Sequence, residues 1–171
     1  MPLRVLIVLL LLLPGIQAGA RGVYQAPEDF IAAAFAGAAP KARVLWITKK
    51  LKPHVRAILG HDYPALRVRY WLHKGRSAWI LEEVGKERPI TVGVVIDGGQ
   101  VVRVQVLVFR ESRGAEVRQA FFTSQFRGAR LTEDLALDRN IDGISGATLS
   151  VRALKKVVRL ALYFHGQVTA R

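Results

Sequence analysis

One hydroxyl group stands out in this chain as a place where chemistry could occur. Thr148 closes the run Asp142-Gly143-Ile144-Ser145-Gly146-Ala147-Thr148, which leads directly into residues 149–165. Apolar residues recur in that segment at three- and four-residue steps, which predicts an amphipathic helix. Such a helix would direct unpaired backbone N–H groups and the positive end of its dipole at whatever Thr148 carries. The sequence therefore favours an anion, such as a phosphate, at this hydroxyl.

The predicted helix has two different sides. Its apolar side carries Val151, Leu154, Val158, Ala161 and His165. Its opposite side carries Arg152, Lys155, Lys156 and Arg159, which we expect to face solvent.

The run ending at Thr148 resembles the D-x-x-S/T-G-A-T motif of a family of domains that bind flavin mononucleotide (FMN). The family includes the C and G subunits, respectively, of the sodium-translocating NADH:quinone oxidoreductase and of Rnf complexes. Its motif Thr is joined to FMN through a phosphoester by a flavin transferase, which takes the FMN part of FAD. The resemblance implies that Thr148 is a covalent attachment site for FMN. It places these further residues at the cofactor: Asp142, Ser145, Gly146, Ala147 and Leu149.

A plainer interpretation exists for the same residues. A Ser or Thr just before a helix is commonly an N-cap, and spacing alone would assign Ser145 and Thr148 no further role. The seven-residue match, placed ahead of a C-terminal helix in a short exported chain, favours the flavin interpretation.

A second resemblance to the family begins at Glu111. The family often carries E-T-x-G after a long strand, and here Ser112 replaces the Thr while Arg113 replaces a Pro that is usual there. The resemblance implies that Glu111, Ser112 and Gly114 lie near the flavin, with the Glu111 carboxyl and the Ser112 hydroxyl available to hydrogen-bond its ring edge or ribityl chain. Without it, this stretch is simply a strand-to-helix connection. The resemblance extends over residues 90–163 and includes Phe126, which we expect in the core.

The beginning of the chain predicts export. Arg4 precedes the unbroken apolar residues 5–13, and Ala18-Gly19-Ala20 is typical of a cleavage site. The apolar run is shorter than the roughly 20 residues of a membrane span. We therefore expect a signal peptide over residues 1–20 and a periplasmic mature chain, 21–171, forming one domain. An uncleaved N-terminal anchor is the alternative.

Charge and cysteine content limit the possible functions. The 171-residue chain has a formal charge of +13 and no Cys. The charge favours anionic partners and allows membrane association. The missing Cys excludes disulfides, thiolate-bound iron–sulfur clusters and c-type haem attachment. The four histidines have no metal-ligand spacing and are expected at the surface or in the core: His54, His61, His73 and His165.

The fold expected from these patterns is α+β. Alternating residues predict strands over 66–72, 78–84, 90–96 and 101–109, with a tight hairpin at Asp97-Gly98. Short turns between them predict a four-stranded antiparallel meander with one apolar face, covered by N-terminal and C-terminal helices. Helices are also expected over 27–35, 53–59 and 115–122. Residues 43–47 are a strand or a buried connection, with Trp46 in the core.

Two functional hypotheses follow. The first is an exported flavoprotein with covalent FMN that carries electrons between membrane or periplasmic redox proteins. Because no paired acid and base or activated nucleophile is evident, it would be a carrier or a subunit of a redox complex rather than a complete enzyme. The second is a basic periplasmic binding or adaptor domain without flavin. A nucleic-acid role is disfavoured, because no nucleic-acid motif is present.

Overall fold

The described residues form one six-stranded sheet with helices before and after its four central strands. The computed structural model describes residues 22–170, so the predicted signal peptide over 1–20 lies outside the described residues. The strands are β1 (Gly22–Val23), β2 (Arg43–Trp46), β3 (Arg67–His73), β4 (Arg76–Val84), β5 (Pro89–Asp97) and β6 (Gln100–Phe109). The helices are α1 (Pro27–Ala34), α2 (Lys52–Leu59), α3 (Ala120–Thr123) and α4 (Thr148–Thr169), and 3-10 turns flank α3 at Ala115–Arg118 and Ser124–Phe126.

The sheet is antiparallel throughout and has the order β1-β6-β5-β4-β3-β2. The α+β class and the meander from β3 to β6 are confirmed, with Gly98 and Gly99 at positive φ in the β5–β6 hairpin. The predicted strand number, four, was too small. A meander leaves unpaired N–H and C=O groups on its two outer strands, and β2 and β1 each pair with one of them.

Helices pack on both faces of the sheet, so the prediction of one apolar face was wrong. Alternate residues of β5 pack with α4 as predicted and are fully buried: Ile90, Val92, Val94 and Ile96. On the other face, Val95 packs with Phe30 and Ile31 of α1. A Cβ atom on Gly93 would lie 2.5 Å from Phe30 Cζ, so only glycine lets this ring rest on the strand.

The basic side of α4 does not face solvent as predicted. Only Arg152 is exposed. Lys155 Nζ donates to the Ile141 carbonyl at 2.9 Å, and Arg159 Nε donates to the Leu135 carbonyl at 2.5 Å. Lys156 Nζ lies 3.0 Å from the buried carboxylate of Glu83. Lys155 and Arg159 therefore hold the long loop before α4 against the helix, and Lys156 holds the helix to β4.

Two aromatic predictions had opposite outcomes. Phe126 is fully buried, as expected. Trp46 was expected in the core, but its side chain is 56% exposed because β2 is an outer strand whose second face no helix covers. Within residues 22–170, no helix combines the length and apolar character needed to cross a membrane.

Candidate functional site

Thr148 is the first residue of α4, and its side chain is exposed. Gly146 adopts a left-handed conformation (φ 79°) that turns the chain into the helix, and Ala147 occupies the N-cap position. No side chain caps α4. Among the residues described, the Thr148 hydroxyl forms no hydrogen bond, and neither does that of Ser145. The simple capping interpretation therefore fails, and the hydroxyl is available for another use.

The start of α4 also presents backbone donors. The first intrahelical bond runs from Val151 N to the Ala147 carbonyl at 2.9 Å. The N–H groups of Thr148, Leu149 and Ser150 precede this bond and have no carbonyl partner in a preceding helical turn. Together with the dipole of the 22-residue helix, they create a positive potential around the Thr148 hydroxyl.

A cavity of about 530 Å³ lies beside Thr148. It is lined by Lys86, Glu111, Ser112, Arg113, Gly146, Ala147, Thr148, Leu149 and Ser150. Its volume is within the usual range of small-molecule sites, about 300–1,000 Å³. Cavities of similar volume lie elsewhere on the molecule, but this one combines both sequence runs singled out above with the start of a helix.

Of the predicted site residues, six line this cavity: Glu111, Ser112, Gly146, Ala147, Thr148 and Leu149. Gly114, Ser145 and Asp142 do not. Gly114 lies behind the wall of the cavity and has a positive φ of 83°. A Cβ atom at this position would be 2.6 Å from Ser150 Oγ. Its missing side chain lets the loop after β6 approach the first turn of α4.

Asp142 has a role in the loop rather than in the cavity. Its backbone N–H donates to Gln125 Oε1 at 2.8 Å, and its Oδ1 accepts from Asn140 Nδ2 at 3.2 Å. These bonds fix the beginning of the run that ends at Thr148.

Glu111 is 4% exposed, and its Oε1 accepts three backbone N–H groups of the β4–β5 turn. The donors are Lys86 at 2.5 Å, Glu87 at 2.8 Å and Arg88 at 3.0 Å. Burial alone would raise the pKa of this carboxyl, but the three hydrogen bonds and the nearby Lys86 charge outweigh it and lower the pKa. One of the two carboxylate oxygens of Glu111 is therefore already used to hold the turn.

Lys86, Arg113 and Ser150 line the cavity without having been predicted as site residues. Lys86 and Arg113 are exposed cations on two different segments. Lys86 reaches the site because Glu111 binds its backbone, a contact that sequence spacing does not reveal. Two cations, three helical N–H groups and a free hydroxyl suit a phosphate ester better than a neutral ligand.

Comparison with known families agrees with this chemistry. Residues 85–163 match the model of the FMN-binding domain family, and this segment contains every residue that lines the cavity. No curated protein and no solved structure matched the chain. The match supports FMN as the ligand. Residues 85–163, which include the whole lining of the cavity, are therefore similar to the FMN-binding domain family.

Proposed function

We propose that this protein is an exported flavoprotein whose FMN is joined to Thr148 through a phosphoester and carries electrons in a membrane-associated or periplasmic redox chain. The match of residues 85–163 to the FMN-binding domain family supports FMN as the cofactor. The covalent link rests on one observation above all: the Thr148 hydroxyl is exposed, unbonded and located at the N-terminal end of α4, beside a cavity with two cations.

The attachment reaction requires an activated phosphate, and FAD with a flavin transferase supplies one. Thr148 Oγ1 forms the new O–P bond to the phosphorus on the FMN side of FAD. The pyrophosphate P–O bond breaks, AMP leaves, and the hydroxyl proton is released. Attachment to a hydroxyl gives a stable ester, and the product keeps one negative charge on the phosphate.

Residues of this chain are suited to hold that product. The N–H groups of the first turn of α4, Lys86 and Arg113 would bind the phosphate. Leu149 is 40% exposed at the cavity and offers an apolar surface for the flavin ring. The Ser112 hydroxyl is available to the polar parts of the cofactor.

A carrier role is consistent with this site. FMN supplies one- and two-electron redox chemistry when bound, and the protein holds it and tunes its potential. Nearby cations favour the anionic reduced flavin and so raise its reduction potential. Because Thr148 lies at the surface, membrane or periplasmic redox proteins could approach the cofactor there.

The test is flavin attachment in cells that also express a flavin transferase. The wild type should gain the mass of FMN less one water and a yellow colour that survives denaturation. Thr148→Ala should gain neither, while Ser145→Ala, which alters an exposed hydroxyl of the same loop outside the cavity wall, should be labelled normally.

A colourless wild type would reject the proposal if a known acceptor protein is labelled in the same cells. The basic binding or adaptor domain would then be the better explanation. It predicts a partner whose binding weakens steeply with salt.

A further inference from the structure

The β2–β3 edge of the sheet combines exposed apolar side chains with cations. Trp46 and Val44 of β2 stand opposite Arg67 and Arg69 of β3, so all four side chains lie on one face. Trp46 is 56% and Val44 42% exposed, and the Arg67 guanidinium lies 5.7 Å from the centre of the Trp46 ring. We call these four residues the edge patch.

The edge patch is open because α1 is too short to cover it. On this face of the sheet, α1 packs over β4 to β6 through Ala78, Val95 and Leu107. Its eight residues extend about 12 Å, whereas six strands spaced about 4.8 Å apart extend about 24 Å. The two strands farthest from the centre of α1 are therefore left without a helix.

Cations outnumber carboxylates around the edge patch, where Glu28 is the acidic residue that lines the adjoining cavity. The sequence contains no Asp or Glu between Asp29 and Asp62. The same interval contains the cations Lys41, Arg43, Lys49 and Lys50. Two more, Lys52 and Arg56, belong to α2, which packs with α4 on the other face of the sheet. Arg67 and Arg69 form no salt bridge with any residue in the described part of the chain, whereas Arg76 on the neighbouring strand β4 is paired with Asp97. This edge is thus complementary to an anionic surface.

A cavity of about 460 Å³ adjoins the edge patch, between α1 and β3. Both Arg67 and Arg69 line it, together with the apolar side chains of Ile31, Trp71 and Ile80, and Glu28 lies on its α1 side. Guanidinium groups next to apolar walls match an amphipathic anion, with a charged group beside an aliphatic or aromatic part.

We propose that the edge patch docks on the anionic surface of a phospholipid bilayer. Trp side chains favour the level of lipid headgroups, and arginines can bury their aliphatic stems while the charge contacts phosphate. Here each exposed apolar side chain has an arginine directly opposite, so apolar and cationic groups would reach the same bilayer surface together.

The location of the edge patch determines which part of the molecule would face away from the bilayer. Gln167 and Ala170, at the C-terminal end of α4, line a small cavity together with Trp46. Thr148 lies at the other end of the helix, about 33 Å away along its axis. Docking through the edge patch would leave the Thr148 cavity directed at soluble partners. The docking proposal does not depend on FMN being attached.

The test is co-flotation of the full chain with vesicles of phosphatidylglycerol and phosphatidylcholine, compared with pure phosphatidylcholine, at about 0.1 M salt. The wild type should bind the anionic vesicles alone. Arg67→Gln with Arg69→Gln should weaken partitioning by about 30-fold, since each cation near an anionic surface contributes about 5-fold. Trp46 emission should shift to shorter wavelength on binding, and the shift should be absent in Trp46→Phe.

The matched control is Arg127→Gln with Arg152→Gln, which removes the same charge from exposed positions outside the edge patch. It should retain most of the binding. Equal binding to neutral and anionic vesicles would contradict the proposal, as would an equal loss in the control. Retention on immobilised polyglutamate without vesicle binding would assign the surface to an acidic protein and would also overturn it. Circular dichroism of each variant verifies that these surface changes leave the fold intact.

Discussion

The backbone N–H of Lys86 lies 2.5 Å from Oε1 of Glu111, and this contact joins the β4–β5 turn to the end of β6. The same oxygen accepts the N–H groups of Glu87 and Arg88. A Cβ atom on Gly85 would lie 2.8 Å from it, so the turn approaches the carboxylate closely. Glu111 is thus a positioning residue, which holds Lys86 at the cavity beside Thr148.

Glu111→Gln should destabilise the protein by about 1–2 kcal/mol at neutral pH, because a neutral acceptor makes weaker hydrogen bonds than a carboxylate. Urea unfolding measures the change. Glu116→Gln, at an exposed carboxylate, is the control and should stay within about 0.5 kcal/mol of wild type.

The stability difference between wild type and Glu111→Gln should depend on pH. The pKa of Glu111 is lower in the folded protein than its ordinary value, so its contribution is complete above the unfolded-state pKa. The contribution is lost as the pH falls through the folded-state pKa. The difference in unfolding free energy between wild type and Glu111→Gln should therefore close in acid. A constant difference at all pH values would show that the charge of Glu111 is not the stabilising factor.

Gly114→Ala should both destabilise the fold and impair flavin attachment. The residue has φ 83°, and the new Cβ would meet Ser150 Oγ at 2.6 Å, in the first turn of α4. We expect a loss of about 1–3 kcal/mol in thermal or urea unfolding. Gly143→Ala is the matched control, because no heavy atom lies within 4 Å of its Cβ position. Adding Ser150→Ala to Gly114→Ala should recover part of the loss, and no recovery would argue against this contact.

Gly93→Ala tests the packing of α1 on the sheet. Three ring atoms of Phe30 lie 2.5–2.7 Å from the Cβ position, and the ring is fully buried. Overpacking of this kind costs about 1–3 kcal/mol, measurable by urea unfolding. Phe30→Leu in the same chain should relieve part of it. Unchanged stability in Gly93→Ala alone would show that the ring does not rest on β5.

Lys86 and Arg113 should accelerate flavin attachment, since the FAD donor is anionic. Replacing both by Gln should lower the initial rate with purified transferase by about ten-fold at low salt and by less at high salt. Lys49→Gln with Lys50→Gln removes the same charge from the turn after β2 and should leave the rate unchanged. Equal slowing in both pairs would attribute the effect to net charge rather than to the cavity.

Local patterns predicted much of the fold. Alternation along β3 to β6 and the glycines of the β5–β6 hairpin define the meander, and periodicity identifies α4. The outer strands were harder. β1 has only two residues, and Trp46 of β2 resembles a core residue until one knows that no helix covers that edge.

The residues around the candidate cavity were also predicted only in part, because local patterns do not reveal contacts between residues that are distant in sequence. Thr148 and its neighbours belong to one continuous run, so the motif alone finds them. The place of Lys86 depends on three hydrogen bonds to Glu111, which is far away in sequence. The basic side of α4 was assigned to solvent, because periodicity does not reveal that a loop would bring carbonyl groups to Lys155 and Arg159.

The most direct test of the central claim is to locate the flavin on the protein after co-expression with a flavin transferase. Trypsin cleavage after Arg139 and Arg152 releases residues 140–152, which contain Ser145, Thr148 and Ser150 together. Fragmentation of this peptide in a mass spectrometer distinguishes the three hydroxyls. We predict that FMN is on Thr148 alone. FMN on either serine, or an unmodified peptide from cells that label a known acceptor, would contradict the account.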